Sequence, residues 1–391
     1  MLSERRVPTV EESGFSFDII YSSCIKTDMQ VNIKMGFLFC ILFPFALSAE
    51  FSLLEQKLNR KIDTFLDERE VEGAIIALIG RGSKNMFCQT ISKGHLSLKS
   101  QIPLNQWSEL SIGPITQLFT AGVLAYLVQE EQVKLSDPIS KFFSKSHYFP
   151  TYGGQEITLG DLATHTSGLP RLSQSPFHFA PFGAQQMFCF LKHFALKHPP
   201  GLVYEPSHLN YALLSHILMR VSRRSLPSLV GQVLIAPLHL NDTKFSLSEE
   251  QKKRLVVGYK KGAATGQLKN DENTVSCFGI NSLYSTAENM LIWLAFNMGK
   301  KMTSLNAILP VMQCSYRTYQ DFRVGLGWKI RPLRPNVDLF SIEGGVGTGF
   351  TSYMGMVPEA GIGVIIVMNQ ENVAADVLGE QLLTLLDQNM P

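Results

Sequence analysis

The sequence has no long run of one charge, no internal repeat and no low-complexity tract. Each absence removes a class. Charged residues make up 17% of the chain and the formal net charge is only +2. A nucleic-acid partner usually requires a basic stripe, and none is present, so none is expected. A membrane-spanning helix needs about 20 apolar residues. The apolar run from Gly36 to Ala46 falls short of that, so no span is expected in the mature chain. Cysteines are few: Cys24, Cys40, Cys88, Cys189, Cys277 and Cys314. They form no CxxC and no Cys/His ligand spacing, so neither a metal nor a cofactor is expected.

What is present is ordinary globular composition. Hydrophobic residues are 45% of 391, enough for a sizeable core in one large domain or two moderate ones. The N-terminus is distinctive. Lys26 and Lys34 precede the run GFLFCILFPFA, and small residues follow at Ala46, Ser48 and Ala49. A basic flank, a short apolar stretch and a small-residue exit resemble a secretory signal over Met35 to Ala49. The expectation is a secreted or periplasmic protein, with translation starting at Met1, Met29 or Met35. Residues 1–49 are set apart as extension and signal, and 50–391 as the folded domain.

Within that domain, Leu53, Leu54, Leu58, Ile62 and Phe65 recur at helical spacing. Strand-like runs follow at Gly73 to Gly80 and Asn85 to Gly94. Beyond Ser108 the texture becomes helical. Strand patterns return at Phe322 to Ile330, Phe350 to Val357 and Gly361 to Asn369, the last two joined by PEAG. A final helix is expected from near Asn372 toward Gln388. The predicted fold is α/β: an antiparallel sheet from about 70–105 and 322–370, flanked by terminal helices, with a mainly helical region at about 108–300 inserted.

Three segments carry the pattern of a site. The first is IGPITQLFTAGVLAYL, Ile112 to Leu127. It resembles the nucleophile helix of the serine β-lactamases and DD-peptidases, I-G-S-x-T-K-x-F-T. There a serine at the helix entrance attacks, and a lysine one turn on helps to remove its proton. Here those positions hold Pro114 and Gln117. Proline has no nucleophilic atom and no backbone N–H. The resemblance makes that N–H one of two oxyanion donors, and losing one such donor costs about 10²–10³ in rate. Proline nevertheless suits the first turn of a helix. Glutamine does not titrate and cannot act as a base.

The second segment is PPGLVYEPSHLNYALLSHIL, Pro199 to Leu218. It resembles the frame of the family's Y-x-N motif. By register the tyrosine falls on Pro206, the middle residue on Ser207 and the asparagine on His208. Tyr204 lies two residues early and is expected to point elsewhere. The third is EGGVGTGFTSYMGMVPEAGIGV, Glu343 to Val364. Gly349, Phe350, Tyr353, Pro358 and Glu359 match the family's G-F-x-x-Y and P-E. The lysine or histidine that attracts a substrate carboxylate falls on Glu343, which reverses the charge. Val346 falls where the second oxyanion N–H is supplied. Leu159 to Leu172, Ile235 to Phe245, Phe278 to Gly299 and Val324 to Trp328 extend the resemblance over residues 55–388. They lean toward the class C β-lactamase branch.

Alternative chemistry is thin. His165 and Ser167 lie in a loop that the resemblance makes structural. Ser23 to Lys26 is the only S-x-x-K and lies before the signal. Phe177, Phe179, Phe182, Phe188 and Phe190 read as packing rather than a ligand platform. Two functions follow. One is a catalytically inactive, exported binding or regulatory protein, with a small molecule or peptide held in a cleft of Gln117, Ser207, His208, Glu343 and Val346. The other is a hydrolase acting on an ester, amide or peptidoglycan-like substrate through a relocated nucleophile such as Ser207.

Overall fold

A computed structural model describes residues 45–82, 86–170, 183–260, 262–265, 282–345 and 349–389, with side chains from residue 53 onward. Val346, most of the signal-like segment, and Phe177, Phe179 and Phe182 lie outside the described residues. Residues 47–391 form one compact unit.

Eight strands form one antiparallel sheet. They are β1 (Gly73–Arg81), β2 (Met86–Gly94), β3 (Arg317–Thr318), β4 (Arg323–Val324), β5 (Lys329–Arg334), β6 (Val337–Gly344), β7 (Thr351–Val357) and β8 (Ile362–Met368), in the spatial order β2-β1-β8-β7-β6-β5-β4-β3. Strands β1 and β2 thus share one sheet with strands that lie more than 200 residues later in the chain. The unbroken apolar runs of β1, β7 and β8 are explained by their position. Every residue of β7 and β8 is buried, because both sheet faces are covered.

One face packs against helix α1 (Phe45–Glu68), through Leu58 and Ile62, and against helix α7 (Ala375–Gln388), through Leu378 and Leu382. Ile75, Ala77, Met354 and Ile365 face the other way, into the helical region. The helices that matter there are α2 (Thr116–Gln129), α3 (Leu159–Ala163), α4 (Ala184–His193), α5 (His208–Ser222) and α6 (Ala287–Asn297). Helix α2 is buried from Thr116 through Ala125, as an apolar helix surrounded on all sides must be.

The expected sandwich stands, with local differences. Helix α1 starts at Phe45 and so runs through the small-residue exit of the signal-like segment. The single strand expected over Phe322 to Ile330 is two, β4 and β5, broken where Gly327 takes φ +77°. The last helix starts at Ala375 rather than Asn372. Among the described residues, no helix is long and apolar enough to cross a membrane.

Candidate functional site

The helix entrance forms as the local sequence dictates. Gly113 takes φ +53°, and Gly113–Ile115 make a tight 3-10 turn with Pro114 in its first positions. Proline's fixed φ fits this turn, and its missing N–H removes a donor that a helix start leaves unpaired anyway. All three residues are buried. The turn is anchored to the sheet: Ser352 Oγ on β7 donates to the Ile112 carbonyl at 2.9 Å. Gly344, which pairs with Ser352 across β6 and β7, lies against the Pro114 ring. A Cβ on Gly344 would stand 2.7 Å from Pro114 Cγ.

One turn into α2, Gln117 is 5% exposed and its side chain enters a polar network. His165 Nε2 lies 2.9 Å from Gln117 Oε1. On the other side of the ring, Nδ1 accepts the Ser207 backbone N–H at 3.2 Å and the Asn210 side-chain amide at 3.1 Å. Two donors at Nδ1 put the proton on Nε2, so the imidazole is neutral and donates to Gln117. Asn210 Oδ1 in turn accepts from Ser167 Oγ. Tyr211, fully buried, donates to the Ala163 carbonyl at 2.9 Å, and burial drives its phenol upward in pKa. Where the resemblance puts a lysine, the structure has an uncharged, hydrogen-bonded cluster. His165 itself sits at φ +57°, an unusual conformation for a residue with a side chain.

Ser207 is not poised for attack. It is the N-cap of α5: its Oγ accepts the Leu209 N–H at 3.2 Å and donates to the Pro170 carbonyl at 2.6 Å. It is 1% exposed. His208 is the first residue of α5 and Pro206 lies just before the cap. His165 and Ser167 do not form a pair of their own, since each is tied to a different atom of Asn210. Tyr204 is half-buried. Its ring centroid lies 6.2 Å from that of His165 and 5.1 Å from that of Phe322.

Glu343 requires a correction. It does not share a cleft with Gln117. Successive strand residues face opposite sides of a sheet, and Gly344 is the one turned to Pro114. Glu343 pairs with Tyr353, whose ring packs against Gly379 of α7 on the other side of the sheet. There its carboxyl meets Asp376, at the start of α7. Burial pushes the Glu343 carboxyl up to about 7, and the Asp376 carboxyl hydrogen-bonded to it adds to the rise, Lys329 opposing. A cleft of reversed charge therefore does not follow from Glu343.

Sequence reasoning missed the network as such. His165 was assigned to structure and Asn210 was passed over. The available signal was Gln117 and Asn210, polar side chains in largely apolar helical frames, since buried polar groups require partners. Among the described residues no group of acids, histidines and cysteines is arranged to hold a metal ion.

Comparison with known proteins agrees with this architecture. The Beta-lactamase family profile matches residues 58–387. A D-alanyl-D-alanine-carboxypeptidase/endopeptidase, AmpH of Escherichia coli, is 30% identical over 67% of this chain and 71% of its own. A β-lactamase/D-alanine carboxypeptidase structure from Yersinia pestis, with citrate bound, is similar at TM-score 0.70 and 26% identity, over 85% of this chain and 98% of that one. A class C β-lactamase from Rhodobacter sphaeroides superposes at TM-score 0.72 with 19% identity, over 84% and 98% of the two chains, a likeness of fold.

Proposed function

The chain belongs to the β-lactamase family, and from that premise we propose that it is an exported cell-envelope protein that binds a peptide or small-molecule ligand in the family's cleft without hydrolysing it. One observation carries the reading. The position for a serine holds Pro114, and the position for its lysine holds Gln117, locked to neutral His165 at 2.9 Å. Acyl transfer needs a nucleophile, a base and an oxyanion donor converging on one carbonyl. Proline removes the first and third together, and the network removes the second. The export rests on the Met35 to Ala49 segment.

The second reading is a hydrolase of the β-lactamase or DD-carboxypeptidase kind. The comparisons favour it, because the 30% identical relative is a D-alanyl-D-alanine-carboxypeptidase/endopeptidase. It requires a nucleophile other than Pro114. Ser207 fits that role poorly, with its hydroxyl held between Leu209 and Pro170.

One experiment separates them. The full chain is incubated with a fluorescent penicillin, with a D-alanyl-D-alanine peptide and with a generic ester. Calorimetric binding of the peptide with no covalent label and no product supports the binding reading. Covalent labelling that Ser207→Ala abolishes establishes the hydrolase instead. Absence of both binding and turnover removes the first reading as well. Pro114→Ser with Gln117→Lys is expected to restore little activity, because Pro206 still stands where the proton-shuttling tyrosine belongs.

A further inference from the structure

The C-terminal end of α5 carries a feature unrelated to the cleft. A surface pocket of about 410 Å³ is lined by Phe142, Met219, Arg220, Val221 and Arg223. Phe142, Met219 and Val221 give it apolar surface, and its charged residues, Arg220 and Arg223, are both positive. Arg223 caps the helix in a left-handed conformation. Arg220 is held in place: its Nε donates to the Phe142 carbonyl at 2.9 Å, and its guanidinium lies 5.0 Å from the centre of the Phe143 ring.

The surrounding surface continues the pattern. Lys141 lies over Phe142 at 5.7 Å and Lys192 over Tyr148 at 5.9 Å. Tyr148 is 63% exposed. Phe143 connects the two parts, packing on Phe149 and Phe188 at 4.9 and 5.3 Å. Arg224 is bonded to Gln232, a neutral partner. Asp137, an acid beside it, is paired with Lys141 at 2.8 Å. Among the described residues, Arg220, Arg223, Arg224 and Lys192 have no carboxylate at ion-pair distance.

Cations near a helix C-terminus complement its dipole, which accounts for part of Arg220 and Arg223. It does not account for the apolar pocket between them or for the exposed Tyr148. Unpaired cations select an anionic partner, and the apolar floor selects one with hydrocarbon beneath its charges. Long cationic side chains beside aromatic rings suit the boundary between headgroups and acyl chains.

We propose that this face docks on an anionic lipid surface, with Arg220 and Arg223 on the headgroups and Phe142, Met219 and Tyr148 at the acyl boundary. Each cation near such a surface strengthens binding about fivefold. The test is co-sedimentation of the full chain with vesicles of phosphatidylcholine alone or with one-third phosphatidylglycerol. Binding to the anionic vesicles at least about tenfold stronger, lost at high salt, is the expected result. Arg223→Gln and Lys192→Gln, both at exposed positions, should together reduce it by about tenfold or more with an unchanged melting temperature. Equal binding to both vesicle types, no binding, or binding indifferent to the double variant overturns the proposal. Release from vesicles by millimolar glycerol phosphate also overturns it, by assigning the pocket to a free anion.

Discussion

Two regions of this molecule, both picked out by the sequence resemblance, hold their polar groups in different ways. At the helix entrance, Pro114 and Gln117 fit their buried surroundings. Pro114 keeps the turn, and Gln117 is satisfied by His165. At the end of β6, the acid Glu343 is accommodated on the far side of the sheet beside Asp376. The first region is uncharged and hydrogen-bonded. The second brings two carboxyls together. A buried polar network is stable when every member is paired, whereas two neighbouring carboxyls cannot both ionise without cost.

That contrast can be broken experimentally. The largest effect is expected for Gln117→Lys. The ammonium would face the His165 Nε2–H, so donor would meet donor at a site only 5% exposed. A loss of about 3 kcal/mol is expected, read by denaturant unfolding. An unchanged midpoint would mean that the network is not formed.

Next is Gly344→Ala. Its φ of +149° disfavours a side chain, and the new Cβ would meet Pro114 Cγ at 2.7 Å. A loss of about 2 kcal/mol is expected. Pro114→Ser should relieve part of it, so the double mutant should be less destabilised than the sum of the two single variants. Strict additivity would disprove the contact between strand and helix entrance.

The smallest effect concerns Glu343→Gln. The folded carboxyl titrates near 7, above the ordinary value of 4.5. Between those values the folded chain holds more protons than the unfolded chain, so stability from this group falls as pH rises from about 4.5 to about 7. Glu343→Gln should therefore be neutral at pH 4 and slightly stabilising at pH 8, flattening the pH profile of the melting temperature. Buried Glu109 is raised to about 7 as well, by desolvation that Arg254 only partly offsets, so a residual slope should remain. Ligand charge preference should not change with Glu343→Gln, because the carboxyl faces away from the cleft.

Much of the fold was legible. The runs Gly73 to Gly80 and Gly361 to Asn369 are long, apolar and bounded by glycine, and both are central strands. The short strand β3 was not legible, since two exposed residues leave no hydrophobic pattern. At the site, the registers that put Pro114 at the helix entrance and Ser207 just before α5 were readable because a local frame marks each one. Glu343 was misread in its direction. A one-residue change of register moves a strand side chain to the opposite face, and only the pairing with Tyr353 decides it.

By itself the sequence determined what chemistry each side chain can offer. Pro114 lacks a nucleophile and an N–H in any fold, and Gln117 cannot titrate in any environment, because these are properties of covalent structure. Only the tertiary structure decided what these groups do. It brought His165 and Asn210, far along the chain, onto Gln117 and turned Glu343 toward Asp376. Hydrogen-bond partners and sheet faces are relations between distant segments, and they exist only once the chain has closed on itself.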